Sequence, residues 1–80
     1  MVIKIVYCGQ WNYLPDALRA REILQEFYTI DVKLVESGGG VFDIFCDEEL
    51  IFSKSQKGRF PNNLELNEIG SHTEKLDPNQ

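Results

Sequence analysis

The chain has 80 residues, of which 42% are hydrophobic and 26% are charged, and its net charge at pH 7 is -5. This length and this balance argue against a second domain and against a largely disordered chain, so we expect one small folded domain. A negative net charge without a dense lysine or arginine cluster argues against binding to phosphate backbones, and we expect no nucleic-acid partner.

The expected location is cytoplasmic. The N-terminus shows no basic leader followed by a long apolar core, and no apolar run approaches the roughly 20 residues that span a bilayer, so no membrane partner is expected. Two cysteines, Cys8 and Cys46, are fewer than a small secreted domain usually carries, and a reducing compartment keeps them as thiols. Any cysteine chemistry is therefore expected from a thiol and not from a structural disulfide.

The first elements predicted are a strand, a helix and a second strand. Residues 2–7 are nearly all β-branched or aromatic, which predicts a central strand buried on both faces. Residues 14–28 carry apolar side chains at spacings of three and four, typical of an amphipathic helix, with Pro15 and Asp16 in its first turn. Residues 30–36 alternate like a strand with one better-buried face. Together they predict a βαβ unit with parallel strands and a right-handed crossover.

A β-hairpin is predicted after the glycine-rich break at residues 37–40. Residues 41–46 and 50–54 form two short strands around an acidic turn, close enough to pair in the antiparallel sense. Glu48 lies in this turn, and a residue other than glycine is strained there if its φ is positive.

The C-terminal part is predicted to contain a loop, a second helix and a tail. Residues 55–63 contain glycine and proline and are expected to form a loop. The weaker helical pattern that follows is expected to end at Gly70. The remainder, residues 71–80, is polar and is predicted to be disordered, so the folded domain is expected to span residues 1–70.

The junction between the first strand and the first helix carries the first candidate for chemistry. Cys8 ends the strand, and a helix N-terminus close to it can favour the thiolate. The alternative is that Cys8 is a small buried hydrophobic residue, as most free cysteines are. Cys46 alternates inward with Phe42 and Ile44, so core filling is the better interpretation for this second cysteine.

Several short segments carry a resemblance to a known family, and they are spread from about residue 2 to residue 70. They are Ile5-Val6-Tyr7-Cys8, Leu18-Arg19-Ala20, Ser37-Gly38-Gly39-Gly40-Val41-Phe42, Ser53-Lys54 and Gly58-Arg59-Phe60-Pro61. In order and spacing they resemble the Rdx family, the selenoprotein W-like (SelT, SelW and SelH type) group of thioredoxin-like proteins. The resemblance implies an α/β, thioredoxin-like β-α-β-β-β-α fold, in which a four-stranded mixed sheet has two helices packed on one side.

The resemblance also implies thiol redox chemistry and makes position 11 the main question. The family's signature is Cys-x-x-Cys or Cys-x-x-selenocysteine at the strand-to-helix turn, where one sulfur attacks a partner and the second atom releases it by forming an internal bond. Cys8 matches the first position, and Trp11 occupies the second.

Three interpretations of Trp11 are open. The first is a real substitution that leaves a single-thiol protein. The second is a UGA selenocysteine codon that has been rendered as tryptophan. The third is an aromatic side chain that only packs over the loop with Tyr7 and Tyr13.

A binding surface is implied around the thiol. Gly38, Gly39 and Gly40 precede the third strand, where thioredoxin-like folds bring backbone close to a bound thiol or peptide; the alternative is a turn that needs positive φ. Phe60 lies in a segment that the family places near the redox loop as a partner surface. The alternative for Phe60 is that it anchors its loop to the core.

The expected function is that of a selenoprotein W-like thiol redox protein, a thiol oxidoreductase in type, with Cys8 as the redox-active thiol and position 11 as the resolving position. No tightly bound cofactor is expected; glutathione, through a mixed disulfide, or a protein thiol is the expected redox partner. The competing hypothesis is a redox-inactive module of the same fold that binds a protein partner. Cys8, Cys46 and His72 lack the paired spacing of a zinc site, so no metal is predicted.

Overall fold

A four-stranded mixed sheet, in the order β2-β1-β3-β4, forms the centre of the computed structural model, which describes residues 2–28 and 30–76. The strands are β1 (Val2–Cys8), β2 (Asp31–Ser37), β3 (Phe42–Cys46) and β4 (Glu49–Ser53), and the helices are α1 (Leu14–Phe27), α2 (Lys54–Lys57) and α3 (Asn63–Leu76). Strand β1 pairs in parallel with β2 and antiparallel with β3, and β4 pairs antiparallel with β3. The predicted parallel βαβ strands and the predicted hairpin are confirmed.

The core lies between one face of the sheet and the two long helices. Alternate residues of a strand point to the same face, so the inward positions of β1 and β3 meet the apolar sides of α1 and α3. The buried cluster contains Ile3, Ile5 and Tyr7 of β1, Phe42, Ile44 and Cys46 of β3, Ala17, Ala20 and Leu24 of α1, and Leu66 of α3. Both long helices therefore cover the same face of the sheet, as predicted.

The second face of β1 is more open than predicted. Ile3 and Ile5 are fully buried, whereas Lys4 and Val6 on the opposite face are half-buried. The central position of β1 is confirmed, but its burial on both faces is wrong because α1 and α3 share one side. The Lys4 Nζ lies 4.9 Å from the centre of the Phe45 ring, a cation–π contact that keeps this lysine along the open face.

The prediction that the last helix ends at Gly70 is wrong, because α3 continues to Leu76. Gly70 is buried, and a β-carbon there would collide with the ring of Tyr28. That ring is held in place because the Tyr28 hydroxyl donates to the backbone oxygen of Asn67 at 2.9 Å. Gly70 thus marks a close approach inside a helix and not a helix end. Residues 71–76 of the predicted tail belong to α3, and residues 77–80 lie outside the described residues.

The segment predicted as a loop, residues 55–63, begins within a short helix. Helix α2 starts at Lys54, which was predicted to end a strand, and it is closed by Gly58. Gly58 has a φ of 77°, and its N–H donates to the Lys54 oxygen at 2.7 Å. A glycine in this left-handed position is a common helix end, which explains why a breaker residue follows a turn of helix.

Glu65 holds the start of α3 through two partners. The Glu65 N–H donates to Asn62 Oδ1 at 2.8 Å, and the Asn62 N–H donates to Glu65 Oε1 at 3.0 Å, which is a reciprocal capping box. The Arg59 guanidinium donates to both carboxylate oxygens of Glu65, at 2.5 Å and 3.0 Å. The Arg59 hydrogen bond, followed by the Asn62 N–H, lowers the pKa of Glu65 to about 2.

The β3–β4 turn contains two residues other than glycine with positive φ. These are Asp47, with a φ of 48°, and Glu48, with a φ of 74°. Cys46 and Glu49 pair directly on either side, so the two residues fit a type I′ hairpin turn, which favours glycine. The strain predicted at Glu48 if its φ were positive therefore applies.

We expect Glu48→Gly to raise the free energy of unfolding by about 1 kcal/mol, because glycine adopts a positive φ without the steric cost that glutamate meets. In thermal unfolding this should appear as a Tm higher by about 4–8 °C for a domain of this size. Glu49→Gly removes the same charge one residue later, inside β4, and should destabilise by about 0.5–1 kcal/mol. If both variants were stabilised, the loss of negative charge and not the backbone would be the cause.

Lowering the pH should remove the contribution of Glu65. Its pKa is depressed from 4.5 to about 2 in the folded state, so its stabilisation is complete above about 4.5 and is lost as the pH falls towards 2. Glu65→Gln keeps an oxygen for the Asn62 N–H but loses the charge, and it should lower the urea midpoint at pH 7 and leave it unchanged near pH 2. Glu68→Gln, exposed on the same helix, is the control. A deficit of the same size at both pH values would show that the carboxylate charge is not responsible.

Candidate functional site

Cys8, the last residue of β1, is fixed on both sides by backbone hydrogen bonds. Its N–H donates to the Val41 oxygen at 2.8 Å, just before β3, and the Gly9 N–H donates to the oxygen of Ser37, the last residue of β2, at 3.1 Å. The Cys8 side chain is fully buried, with 0% exposure. The candidate thiol is therefore firmly placed but shielded from solvent in this conformation.

The loop after Cys8 folds back onto it. The Trp11 N–H donates to Cys8 Sγ at 3.4 Å, and the Tyr13 N–H donates to the Cys8 oxygen at 3.1 Å. Asn12 has a φ of 59°, which asparagine tolerates better than most residues, and its N–H donates to the Gly9 oxygen at 3.1 Å. The N–H that donates to the sulfur thus belongs to the loop before α1. A thiolate can accept such a hydrogen bond.

A row of four aromatic rings connects this loop to the segment before α3. The ring centres of Trp11 and Tyr13 are 6.1 Å apart, those of Tyr13 and Phe60 are 4.8 Å apart, and those of Phe60 and Phe42 are 5.1 Å apart, all edge to face. The Lys54 Nζ lies 5.5 Å from the Tyr13 ring and 5.3 Å from the Phe60 ring. Trp11 is 60% exposed and Phe42 is buried, so the row runs from the surface into the core.

Of the three glycines at residues 38–40, Gly40 is the one that contacts the loop after Cys8. A β-carbon on Gly40 would lie 2.5 Å from Trp11 Cζ3, so the indole ring packs directly against this residue. A β-carbon on Gly38 or Gly39 would meet nothing within 4 Å. Gly39 and Gly40 have φ values of 71° and 73°, as the turn interpretation expects. The structure therefore brings Gly40 to the site, while Gly38 and Gly39 border open space.

Two aromatic residues have roles that the sequence left open. One of the three interpretations of Trp11 placed it beside Tyr7 over the loop, but Tyr7 is 9% exposed and belongs to the core. Phe60 is half-buried and packs against the core, which supports its predicted alternative as an anchor, and its ring also joins the aromatic row. Trp11 thus contacts Cys8 through its N–H and Gly40 through its ring. Phe60 is connected to Trp11 through the ring of Tyr13.

Cys46 lies at the opposite end of the sheet from Cys8. It pairs with Ile3, near the start of β1, whereas Cys8 is the last residue of that strand. From position 3 to position 8, a strand rises by roughly 16 Å, far beyond the Cα separation that a disulfide permits. Cys46 is 5% exposed within the core, and the Thr73 hydroxyl lies 3.8 Å from its sulfur. Cys46 fills the core, as predicted, and is too far away to resolve a bond on Cys8.

Two residues that shape the site, Arg19 and Lys54, were given no role from the sequence. Tyr13, which one interpretation of Trp11 placed beside its ring, connects the loop to the aromatic row, and Lys54 lies over two rings of that row. Arg19 of α1 donates to the Pro61 oxygen and to Asn63 Oδ1, both at 2.8 Å, and so holds the segment that carries the row's inner part. Arg19 and Lys54 both lie in segments that carry the family resemblance, which was the available signal.

His72 lies on α3 and is exposed. It lines a shallow cavity of about 280 Å³ together with Lys57 and Glu68. Within residues 2–28 and 30–76, no group of three or more His, Cys, Asp or Glu side chains is placed to hold a metal ion. In the same part of the chain, no helix has the length and apolar character needed to cross a membrane.

Known proteins share both the sequence pattern and the fold. Among models of protein families, that of the Rdx family matches residues 2–69. The crystal structure of a selenoprotein W-related protein from Vibrio cholerae superposes with a TM-score of 0.82 at 30% identity, over 88% of this chain and 91% of that chain. A crystal structure from Bordetella parapertussis superposes with a TM-score of 0.74 at 32% identity, over 88% of this chain and 94% of that chain.

A SelT-like protein from Arabidopsis thaliana gives a shorter match. It is 47% identical over 34 residues, which are 42% of this chain and 16% of that protein. The chain thus spans a small part of that relative's length, whereas it covers nearly all of the two bacterial structures. The family resemblance and the α/β, thioredoxin-like fold that it implied are confirmed, and the chain belongs to the Rdx family.

Proposed function

We propose that this protein is a single-thiol redox protein in which Cys8 exchanges disulfides with glutathione or with a protein thiol. Membership of the Rdx family supports thiol redox chemistry in general terms. The observation that carries the specific role is the hydrogen bond from the Trp11 N–H to Cys8 Sγ, at 3.4 Å, at the end of the central strand. It supports a Cys8 sulfur that is positioned by the loop bearing the family's second motif position.

The proposed reaction exchanges one sulfur–sulfur bond for another. The Cys8 thiolate attacks one sulfur of glutathione disulfide, the bond between the two glutathione sulfurs breaks, and one glutathione leaves as a thiolate. The product is a mixed disulfide between Cys8 and the other glutathione. The thiolate of a protein partner can then attack that bound glutathione, so the bond between Cys8 and glutathione breaks, the partner becomes glutathionylated and the Cys8 thiolate is regenerated. The net reaction moves one glutathione from glutathione disulfide to the partner's thiol and releases the other, and it needs no second thiol of this chain.

The identity of residue 11 sets how the mixed disulfide is released. With Trp11 in place, no sulfur at that position can attack Cys8, and Cys46 is at the far end of the sheet. Release then depends on an external thiol, so turnover should be slow. A UGA codon at position 11 would instead place selenocysteine there, and its selenium would release the bound thiol by bonding to Cys8. The nucleotide sequence distinguishes these cases, since UGG assigns tryptophan.

Exposure of the protein to glutathione disulfide should give one glutathione adduct per chain, on Cys8. Intact mass spectrometry counts the adducts, and trypsin separates the cysteines because it cleaves after Lys4, Arg19, Lys33 and Lys54. Cys8→Ser should abolish the adduct, whereas Cys46→Ser should retain it. Both thiols are buried, but the Cys8 sulfur is contacted by a loop and the Cys46 sulfur by Thr73 of α3, and a loop opens more readily than a packed helix. An adduct that forms on Cys8 in the urea-unfolded chain but never in the folded protein would contradict the redox proposal.

Trp11→Cys should convert the protein into a two-thiol form. We expect the glutathione adduct to be replaced by an internal disulfide between residues 8 and 11, because the second thiol sits at the family's resolving position. Gln10→Cys, which adds a thiol at the neighbouring exposed position, is the matched control and should retain the adduct. Equal adduct levels in the two variants would show that position 11 does not resolve bonds on Cys8.

A redox-inactive binding module is the second candidate function. The observation that favours it is the contrast between the buried Cys8 and the exposed Trp11, since tryptophan is enriched where proteins bind one another. Under this alternative, Trp11→Ala would weaken partner binding, and Cys8→Ser would change neither binding nor cellular activity. A folded protein without any adduct on Cys8 is the result that would favour this function over the first.

A further inference from the structure

The burial of Cys8 conflicts with attack on a partner disulfide. A thiolate must meet the attacked sulfur directly, and the Cys8 side chain has no exposed surface in this conformation. Its backbone is tied to Val41 and, through Gly9, to Ser37, so the strand cannot easily carry the sulfur outwards. If Cys8 reacts, as proposed above, the loop that follows it must move first.

The lid, defined as residues 9–12, closes on itself and on Cys8. Its base is tied to β2, because the Gly9 N–H donates to the Ser37 oxygen. Beyond that residue its hydrogen bonds run from the Asn12 N–H to the Gly9 oxygen and from the Trp11 N–H to Cys8 Sγ. These two are local contacts that span three residues, so neither ties the tip of the lid to a distant part of the sheet. The long-range contact at the tip is made by the Trp11 ring.

That ring lies against Gly40, in the segment that leads from β2 to β3. A β-carbon on Gly40 would be 2.5 Å from Trp11 Cζ3, 2.8 Å from Cε3 and 2.9 Å from Cη2. These distances are shorter than ordinary van der Waals contact, so any side chain at this position would push the ring away. Only a residue without a β-carbon leaves room for the ring at this position. We call the surface of Gly40 under the ring the ring seat.

We propose that Trp11 closes the lid over Cys8 by seating its ring on Gly40, and that reaction at Cys8 follows release of this ring. The biological role of the lid rests on the proposed redox function, whereas its geometry rests on the contacts of Trp11 with Cys8 and Gly40. It assigns Trp11 a positioning role: its backbone N–H contacts the sulfur, and its ring holds the loop closed. A single side chain thus controls access to the thiol.

The experiment uses the neighbouring glycine as a matched control. Gly39 and Gly40 have nearly the same positive φ, 71° and 73°, so alanine meets the same unfavourable φ at both positions. At Gly39 the new β-carbon meets open space, whereas at Gly40 it meets the Trp11 ring. Comparing Gly39→Ala with Gly40→Ala therefore separates loss of the ring seat from backbone strain.

Iodoacetamide serves as the probe, and mass spectrometry of the tryptic peptide 5–19 follows alkylation of Cys8. We expect wild-type Cys8 to react more slowly than in the urea-unfolded chain. Gly40→Ala should accelerate alkylation by about tenfold, which corresponds to about 1.4 kcal/mol of lid closure, and Gly39→Ala should leave the rate unchanged. Trp11 is the only tryptophan, so its fluorescence should shift to longer wavelength in Gly40→Ala alone.

Trp11→Ala provides a second variant if Gly40→Ala does not fold. It removes the ring but keeps the N–H that donates to Cys8, and it should also accelerate alkylation. Equal rates in the two glycine variants, or no acceleration with Trp11→Ala, would overturn the lid. Rapid alkylation of Gly40→Ala without any glutathione adduct would contradict the redox proposal and support the lid. A glutathione adduct on Cys8 that forms at the same rate in wild type, Gly40→Ala and Trp11→Ala would support the redox proposal and contradict the lid.

Discussion

Strand β1 is hydrogen-bonded along both edges, and this constraint fixes the candidate site. Its parallel partner β2 and its antiparallel partner β3 both continue to the residues beside Cys8, where the N–H groups of Cys8 and Gly9 are still paired. A thiol placed there cannot shift without breaking pairing on two sides. Whatever exposes or covers the sulfur must therefore be the loop that follows the strand.

The surroundings of that loop tie it to the helices. Tyr13 leads into α1, and its ring meets Phe60, which lies before α3. Arg19 binds the segment after Phe60 from the side of α1, and Lys54 lies over both rings. These contacts make the base of the loop rigid while its tip depends on Trp11. Trp11 is thus a structural contact of the site, to Cys8 through its N–H and to Gly40 through its ring.

The order and type of the main elements could be predicted from the sequence, because local periodicity decides them. Helix α1 follows from apolar side chains spaced by three and four, and strands β2 and β3 follow from alternating apolar side chains. Glycine carried no such information. Gly58 ends a helix, Gly70 lies inside one against Tyr28, and Gly40 seats a ring. The same residue type has three roles, and the choice among them depends on neighbours distant in sequence. For the same reason the burial of Cys8 could not be read from its position at a strand end.

The two candidate functions share one surface, and the Trp11 contact connects them. The ring is exposed enough to meet a partner and also packs against Gly40. A partner that binds the ring only when it has left Gly40 stabilises the open lid by its preference for that state, and by no more than that preference. Binding and exposure of Cys8 would then be linked, because one side chain takes part in both. If both proposals hold, the thiol would stay shielded until the partner that presents the disulfide had engaged Trp11.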